Sequence, residues 1–120
     1  MKILIADDSR VMRQIVLRTL RQAGYGGHDI VEAEDGQDAL TKVGEHQPDL
    51  VLSDWNMPNK TGIELLRDLR AQGSTVPFGF VTSEGSPEMR ELAEQAGAMF
   101  LIAKPFTADT FDAALSGVLA

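Results

Sequence analysis

Short apolar runs alternate with amphipathic segments along the chain. Ile3 to Ala6 is continuously apolar, the pattern of a strand covered on both faces. Ser9 then caps a predicted helix, on which Val11, Met12, Ile15, Val16 and Leu20 recur at helical spacing. Gly24 and the pair Gly26-Gly27 end it. His28 to Ala33 is a poorer strand, expected near a sheet edge, and Asp35-Gly36 turns into a short helix carrying Ala39, Leu40 and Val43 that stops before Pro48. Asp49 to Asp54 is the third predicted strand. After a Pro/Asn-containing loop, Met57 to Lys60, the stretch Thr61-Gly62-Ile63-Glu64 reads as a capping box for a helix carrying Leu65, Leu66 and Leu69. Val76 to Thr82 is the fourth strand. Ser86 caps the next helix with Pro87 at its first position, and Gly97 ends it. Met99 to Ala103 is the fifth strand, and Thr107 caps a last helix carrying Phe111, Ala114, Leu115 and Val118. Phe78, Phe80 and Leu92 read as core.

Strict alternation of strands and helices implies an α/β fold, a doubly wound five-stranded parallel sheet flanked by five helices. Right-handed crossovers bring every strand C-terminus to one edge. Asp7, Asp8, Asp54, Thr82 and Lys104 are therefore expected on that edge. No repeat, low-complexity tract or linker interrupts the pattern, so residues 1–120 are expected to form one domain.

Composition narrows the function. With 43% hydrophobic and 24% charged residues, the chain can build an ordinary packed core. A net charge of -7 argues against a nucleic-acid surface and against an anionic membrane as partner. The absence of cysteine excludes disulfides, thiolate metal sites and thiol nucleophiles. The start, Met1-Lys2-Ile3-Leu4-Ile5, is too short for a signal peptide, and no stretch approaches a membrane span, so a cytoplasmic protein is expected.

The chemistry lies where the apolar runs stop. An acidic pair after a strand is ordinarily a solvated turn, a lysine before proline a surface lysine, and a threonine in a strand merely a strand residue. Convergence on one edge, across the point where strand order reverses, gives them a joint meaning. Three carboxylates and one ammonium describe a site for a divalent cation and a phosphoryl group. An aspartate can attack phosphorus and form an acyl phosphate, provided that the repulsion between anions is relieved. Mg²⁺ suits this task, because it takes one or two carboxylates, phosphate oxygens and waters. Asp8 and Asp54 can supply the carboxylates, with Asp7 acting directly or through water. Lys104 and Thr82 can hold phosphoryl oxygens, and such groups are worth roughly 3–4 kcal/mol each in mutational tests.

Asp7-Asp8-Ser9, Asp54-Trp55-Asn56-Met57-Pro58, Gly62, Val81-Thr82-Ser83 and Lys104-Pro105-Phe106, in this order and spacing, resemble the receiver domains of two-component response regulators over the whole chain. Within that family the resemblance is to the single-domain chemotaxis regulators. It implies the flavodoxin-like strand order 2-1-3-4-5. It implies that Asp54 accepts a phosphoryl group from a phosphohistidine on a sensor histidine kinase. Mg²⁺ would be held by Asp8, Asp54 and the backbone carbonyl of Asn56, with Asp7 nearby, and Thr82 and Lys104 would bind the phosphoryl oxygens. The Lys104–Pro105 bond is cis in the family, a form that only X-Pro bonds adopt at low cost. Asn56 and Glu84 occupy positions thought to tune spontaneous dephosphorylation, and both match the chemotaxis type, which implies a short-lived label. A downstream protein target would bind the face made by the fourth helix, fifth strand and fifth helix. One departure stands out: three residues before Lys104, where family members carry Tyr or Phe, this chain has Leu101. Strand alternation points the adjacent Phe100 to the opposite face.

Two other classes share parts of this pattern. A Mg²⁺-dependent phosphohydrolase of the haloacid dehalogenase type also uses a strand-end Asp and a lysine, but needs a second acid where this chain has Asn56. A flavin carrier needs a Ser/Thr/Gly-rich phosphate loop after the first strand, where Asp7-Asp8 would repel the phosphate. His28 and His46 sit in no kinase-type helical motif and read as surface. With no effector segment after the last helix, the resemblance leaves a stand-alone regulator, a phosphoryl shuttle and an excised domain open.

Overall fold

A computed structural model describes residues Met1–Val118. Their elements alternate as predicted: β1 (Lys2–Ala6), α1 (Arg10–Gln22), β2 (Asp29–Ala33), α2 (Gly36–His46), β3 (Leu50–Ser53), α3 (Gly62–Ala71), β4 (Phe78–Thr82), α4 (Pro87–Ala96), β5 (Phe100–Ala103) and α5 (Ala108–Leu115). The strands form one parallel sheet in the order β2-β1-β3-β4-β5, with the weakest apolar run, β2, at an edge.

Strand alternation sorts the apolar side chains into two layers. Leu4, Val51, Phe78 and Phe80 face α2, α3 and α4, where they meet Ala39, Leu65, Leu69 and Ala93. Ile3, Ile5, Leu52 and Ile102 face α1 and α5, against Val16, Leu20, Phe111 and Leu115. Removing one of the fully buried phenylalanine rings would cost about 3–5 kcal/mol. Gly79 serves this packing by what it lacks. A Cβ there would lie 2.1 Å from the Phe100 ring of the neighbouring strand.

The helix starts are where the sequence places them. Ser9, Asp35, Thr61, Ser86 and Thr107 each accept a backbone N–H three residues on, and Thr61 and Glu64 complete the capping box. Asp35, expected at the turn into α2, is its helix cap.

Some boundaries differ from the prediction. β2 starts at Asp29, β3 spans only Leu50–Ser53, and β5 starts at Phe100. β4 starts at Phe78, because Pro77 has no N–H to give the ladder and contributes only its carbonyl, to the Val51 N–H at 2.9 Å. α1 closes on Ala23, ahead of Gly24 at φ 96°. α5 stops at Leu115, and Val118 lies in the turn beyond it while still packing on the α1/α5 layer. Periodicity also overstated burial. Val11 is 69% and Ile15 36% exposed on α1, and Leu92 is 41% exposed on α4, where only Ala93 is fully covered. Leu92 is one residue, about 100° of helix, away from that covered side.

Candidate functional site

Asp54, Asp7 and Lys104 each sit one residue beyond a strand, yet their backbones are still held as in a sheet. The Asp7 N–H donates to the last carbonyl of β2, Ala33, at 3.1 Å. Asp54 does the same to Ala6 at the end of β1, at 2.9 Å, and Lys104 to Thr82 at the end of β4, at 2.8 Å. The side chains therefore leave a rigid edge, the natural support for a site that needs fixed geometry.

Carboxylate oxygens of Asp7, Asp8 and Asp54 lie within 4.8 Å of one another. The Lys104 ammonium joins two of them, with Nζ 3.3 Å from Asp7 Oδ2 and 3.6 Å from Asp54 Oδ2. The remaining oxygens are also directed: Asp54 Oδ1 accepts the Trp55 N–H at 2.7 Å, and Asp7 Oδ1 accepts the Ser9 N–H at 2.9 Å. Asp7 is almost wholly buried, whereas Asp8 is exposed. Burial pushes the Asp7 carboxyl above its ordinary value, against the opposing pull of the Ser9 N–H and of Lys104, while Asp54 adds a smaller push upward. Three carboxylates around one ammonium leave an excess of negative charge in a partly dry place. The all-oxygen, acid-rich donor set fits a hard divalent cation such as Mg²⁺.

Thr82 is fully buried at the end of β4, and its Oγ1 accepts the Glu84 N–H at 3.3 Å. Asn56 is exposed, and its amide donates to Glu84 Oε1 at 3.3 Å, so the loops after β3 and β4 touch across the site. The Lys104–Pro105 bond is cis, as the resemblance implies. Gly62 packs on the backbone just after the strand: a Cβ there would lie 2.1 Å from the Asp54 carbonyl oxygen.

Leu101 and Phe100 point to opposite faces, toward the α4 and the α5 layer respectively. Beside Leu101 lies a residue that sequence reasoning missed. Arg90 on α4 donates from Nε to the Gly85 carbonyl at 3.3 Å and from Nη1 to the Leu101 carbonyl at 3.1 Å. It ties the loop carrying Glu84 to β5. Arg13 was missed as well. Its Nη1 donates to the Asp7 carbonyl at 2.7 Å and its Nε pairs with Glu32 at 3.0 Å, bracing the β1 end from α1. Its only sequence signal is an arginine one turn into a helix that starts at a site. His28 stacks beside Tyr25, with ring centroids 6.2 Å apart, and neither histidine belongs to the strand-end cluster.

Comparison with known proteins agrees with this geometry. Residues 3–116 match the family described as response regulator receiver domain. The chain is 43% identical over 112 residues to the chemotaxis protein CheY-3 of Vibrio cholerae, covering 92% of this chain and 85% of that protein. It is 42% identical over 110 residues to the chemotaxis protein CheY of Pseudomonas aeruginosa, covering 90% and 87% respectively. Among solved structures, the chemotaxis response regulator CheY4 of Vibrio cholerae superposes with a TM-score of 0.84 at 37% identity, covering 98% of both chains. The receiver domain of the Francisella response regulator 1452 superposes at 0.85 with 28% identity, covering 98% of this chain and 94% of that one. The phosphohydrolase alternative finds no support in these relatives.

Proposed function

The chain belongs to the response regulator receiver family, is homologous to the CheY chemotaxis regulators, and from that premise we propose that Asp54 is its phosphoacceptor. One observation carries the reading. Asp54 leaves the end of β3 within 4.8 Å of the Asp7 and Asp8 carboxylates and 3.6 Å from the only ammonium of that cluster, Lys104.

In the proposed reaction an Asp54 carboxylate oxygen attacks the phosphorus of a phosphohistidine on a sensor kinase. The new O–P bond forms as the P–N bond breaks, and the departing imidazole nitrogen takes a proton from water. Asp7, Asp8, Asp54 and the Asn56 carbonyl would hold Mg²⁺, which when bound would supply positive charge against the phosphoryl oxygens. Lys104 reaches one phosphoryl oxygen and the Thr82 hydroxyl another. Lys104 is already oriented by two carboxylates, so little reorganisation is needed when charge develops. Asn56 and Glu84 flank the site, where an attacking water must pass, and the label is short-lived. The chain is thus a phosphoacceptor that assists its own phosphorylation and dephosphorylation rather than an enzyme acting on a separate substrate.

Val11 and Ile15 on α1 are uncovered, and Met12, Pro105 and Phe106 line a groove with Lys104, which gives the phosphodonor an apolar surface beside the site. The output partner binds the face of α4, β5 and α5, where Met99 is 55% exposed next to a groove lined by Arg90, Glu94 and Leu101. No described helix is long and apolar enough to cross a membrane, and action in the cytoplasm is proposed from the likeness to the CheY relatives. Phosphotransfer from a panel of histidine kinases to the wild type and to Asp54→Ala tests the reading, followed by partner capture with the phosphorylated form. Transfer to the wild type and none to the variant is expected. Equal labelling of both would move the acceptor elsewhere.

A further inference from the structure

The loop between Asp54 and α3 carries the Asn56 carbonyl, and it is anchored at its far end by a contact outside the strand-end cluster. Asn59 Nδ2 donates to Asp35 Oδ2 at 2.8 Å, while the other oxygen of Asp35 caps α2 through the Asp38 N–H at 2.7 Å. Asp35 is only 8% exposed, and the Asp38 N–H, more than the Asn59 amide, holds its carboxyl below the ordinary value. The charged form is therefore the one built into this corner. Next to it the two loops meet backbone to backbone: the Gly36 N–H donates to the Lys60 carbonyl at 3.1 Å, and a Cβ on Gly36 would lie 2.2 Å from that oxygen. Asn59 adopts φ 66°, a left-handed conformation that asparagine tolerates better than most residues.

At the near end, the Gly62 N–H closes the loop onto the Trp55 carbonyl at 2.8 Å, and Met57 is buried. Asn56 itself is exposed, and its side chain is spent on Glu84. Its backbone position thus depends on how the loop is held on either side. Metal affinity is sensitive to such support, since contacts behind the ligands commonly change it by about 10–100-fold.

We propose that Asp35 and Asn59 are a positioning pair for the divalent cation, fixing the loop on which the Asn56 carbonyl is presented. The proposal rests on the reading of Asp7, Asp8, Asp54 and Asn56 as the cation site. It extends that site to a corner at the end of β2 that touches neither phosphoryl group nor metal.

The test is a Mg²⁺ titration followed by the fluorescence of Trp55, the single tryptophan and the neighbour of Asp54. Asn59→Gly keeps the left-handed backbone and removes the amide, and Asp35→Ser keeps a helix cap and removes the amide's acceptor. Each is expected to raise the half-saturating Mg²⁺ concentration about five- to tenfold. The exchange variant Asp35→Asn/Asn59→Asp restores a donor–acceptor pair at the same net charge, and is expected to return the value to within about twofold of wild type. At saturating Mg²⁺ all variants should be phosphorylated by acetyl phosphate at close to the wild-type rate, since Lys104 and Thr82 are untouched. Wild-type Mg²⁺ affinity in both single variants would overturn the positioning role, as would a loss that the exchange fails to restore. A wild-type protein that does not bind Mg²⁺ would instead overturn the reading of the site, and the positioning role with it.

Discussion

The two halves of the strand edge are built differently. The half at the ends of β1 and β3 is braced from all sides. Asp7 is held through its N–H, its carbonyl and both carboxylate oxygens, by Ala33, Arg13, Ser9 and Lys104. The loop after Asp54 is clamped at both ends, by Gly62 and by the Asp35–Asn59 pair. The half at the ends of β4 and β5 has fewer ties. Its loop is held by the Glu84 contacts at 3.3 Å, by the Ser86 cap and by one exposed arginine, Arg90. The difference fits the two tasks. Under the proposed function, a cation and an attacking carboxylate need fixed distances, whereas a segment that reports phosphorylation must be able to change.

Lys104 is where the halves meet, so its loss should have the largest effect. Lys104→Met should slow phosphorylation by acetyl phosphate about 10²–10³-fold at saturating Mg²⁺. The same change should leave the Mg²⁺ site intact and tighten it, because a cation beside the carboxylates is gone. A parallel loss of Mg²⁺ binding would erase the division between the halves.

Next in size is Gly79→Ala on the β4–β5 side. The added methyl meets the Phe100 ring, and overpacking of this kind costs about 1–3 kcal/mol, read as a lower urea midpoint at unchanged slope. An unchanged midpoint would mean that the ring moves aside freely.

Asp7→Asn probes the braced half. The Asp7 carboxyl is raised in the folded protein, so the folded state binds its proton more tightly than the unfolded chain does. Its ionisation therefore costs nothing at pH below the ordinary carboxylate range. The cost grows as pH rises through the raised value and is fully present above it. In EDTA near neutral pH, Asp7→Asn should melt higher than wild type, with the gap closing as pH falls through that window. With Mg²⁺ present the order should shrink or reverse, since the ion binds the wild type better. A variant that melts lower in EDTA at neutral pH would contradict the assigned burial cost.

The smallest effect is expected at Arg90. Arg90→Met should speed hydrogen exchange at the Glu84–Ser86 amides about fivefold, while phosphorylation stays within about twofold of wild type. Unchanged exchange would show that the arginine does not restrain the loop.

What could be read from the sequence follows the same division. Asp7, Asp8, Asp54, Thr82 and Lys104 could be found because each follows or closes an apolar run, and parallel topology then gathers them on one edge. The capping residues carry their geometry in short local patterns. Arg13, Arg90 and the Asp35–Asn59 pair could not be found this way. Arg13 and Arg90 act on backbone carbonyls, and the pair joins residues 24 positions apart, through approaches set only by the packed fold. Val11, Ile15 and Leu92 show the matching limit for apolar residues. Periodicity says which side of a helix is apolar, not whether anything covers it. The comparison also clarifies Leu101. Leu101 stands where the resemblance expects an aromatic, and its carbonyl accepts from Arg90, which also reaches the Gly85 carbonyl and so links the β4–α4 loop to β5.

The proposed phosphoacceptor is Asp54, one residue beyond the end of β3. Incubation with acetyl phosphate and Mg²⁺, followed by borohydride reduction and peptide mass spectrometry, tests it directly, because reduction converts an aspartyl phosphate to homoserine. Homoserine at residue 54 is predicted, with a label that decays within minutes before trapping and none in Asp54→Asn. Homoserine at residue 7 or 8, a label that persists for hours, or undiminished labelling of the variant would contradict the account.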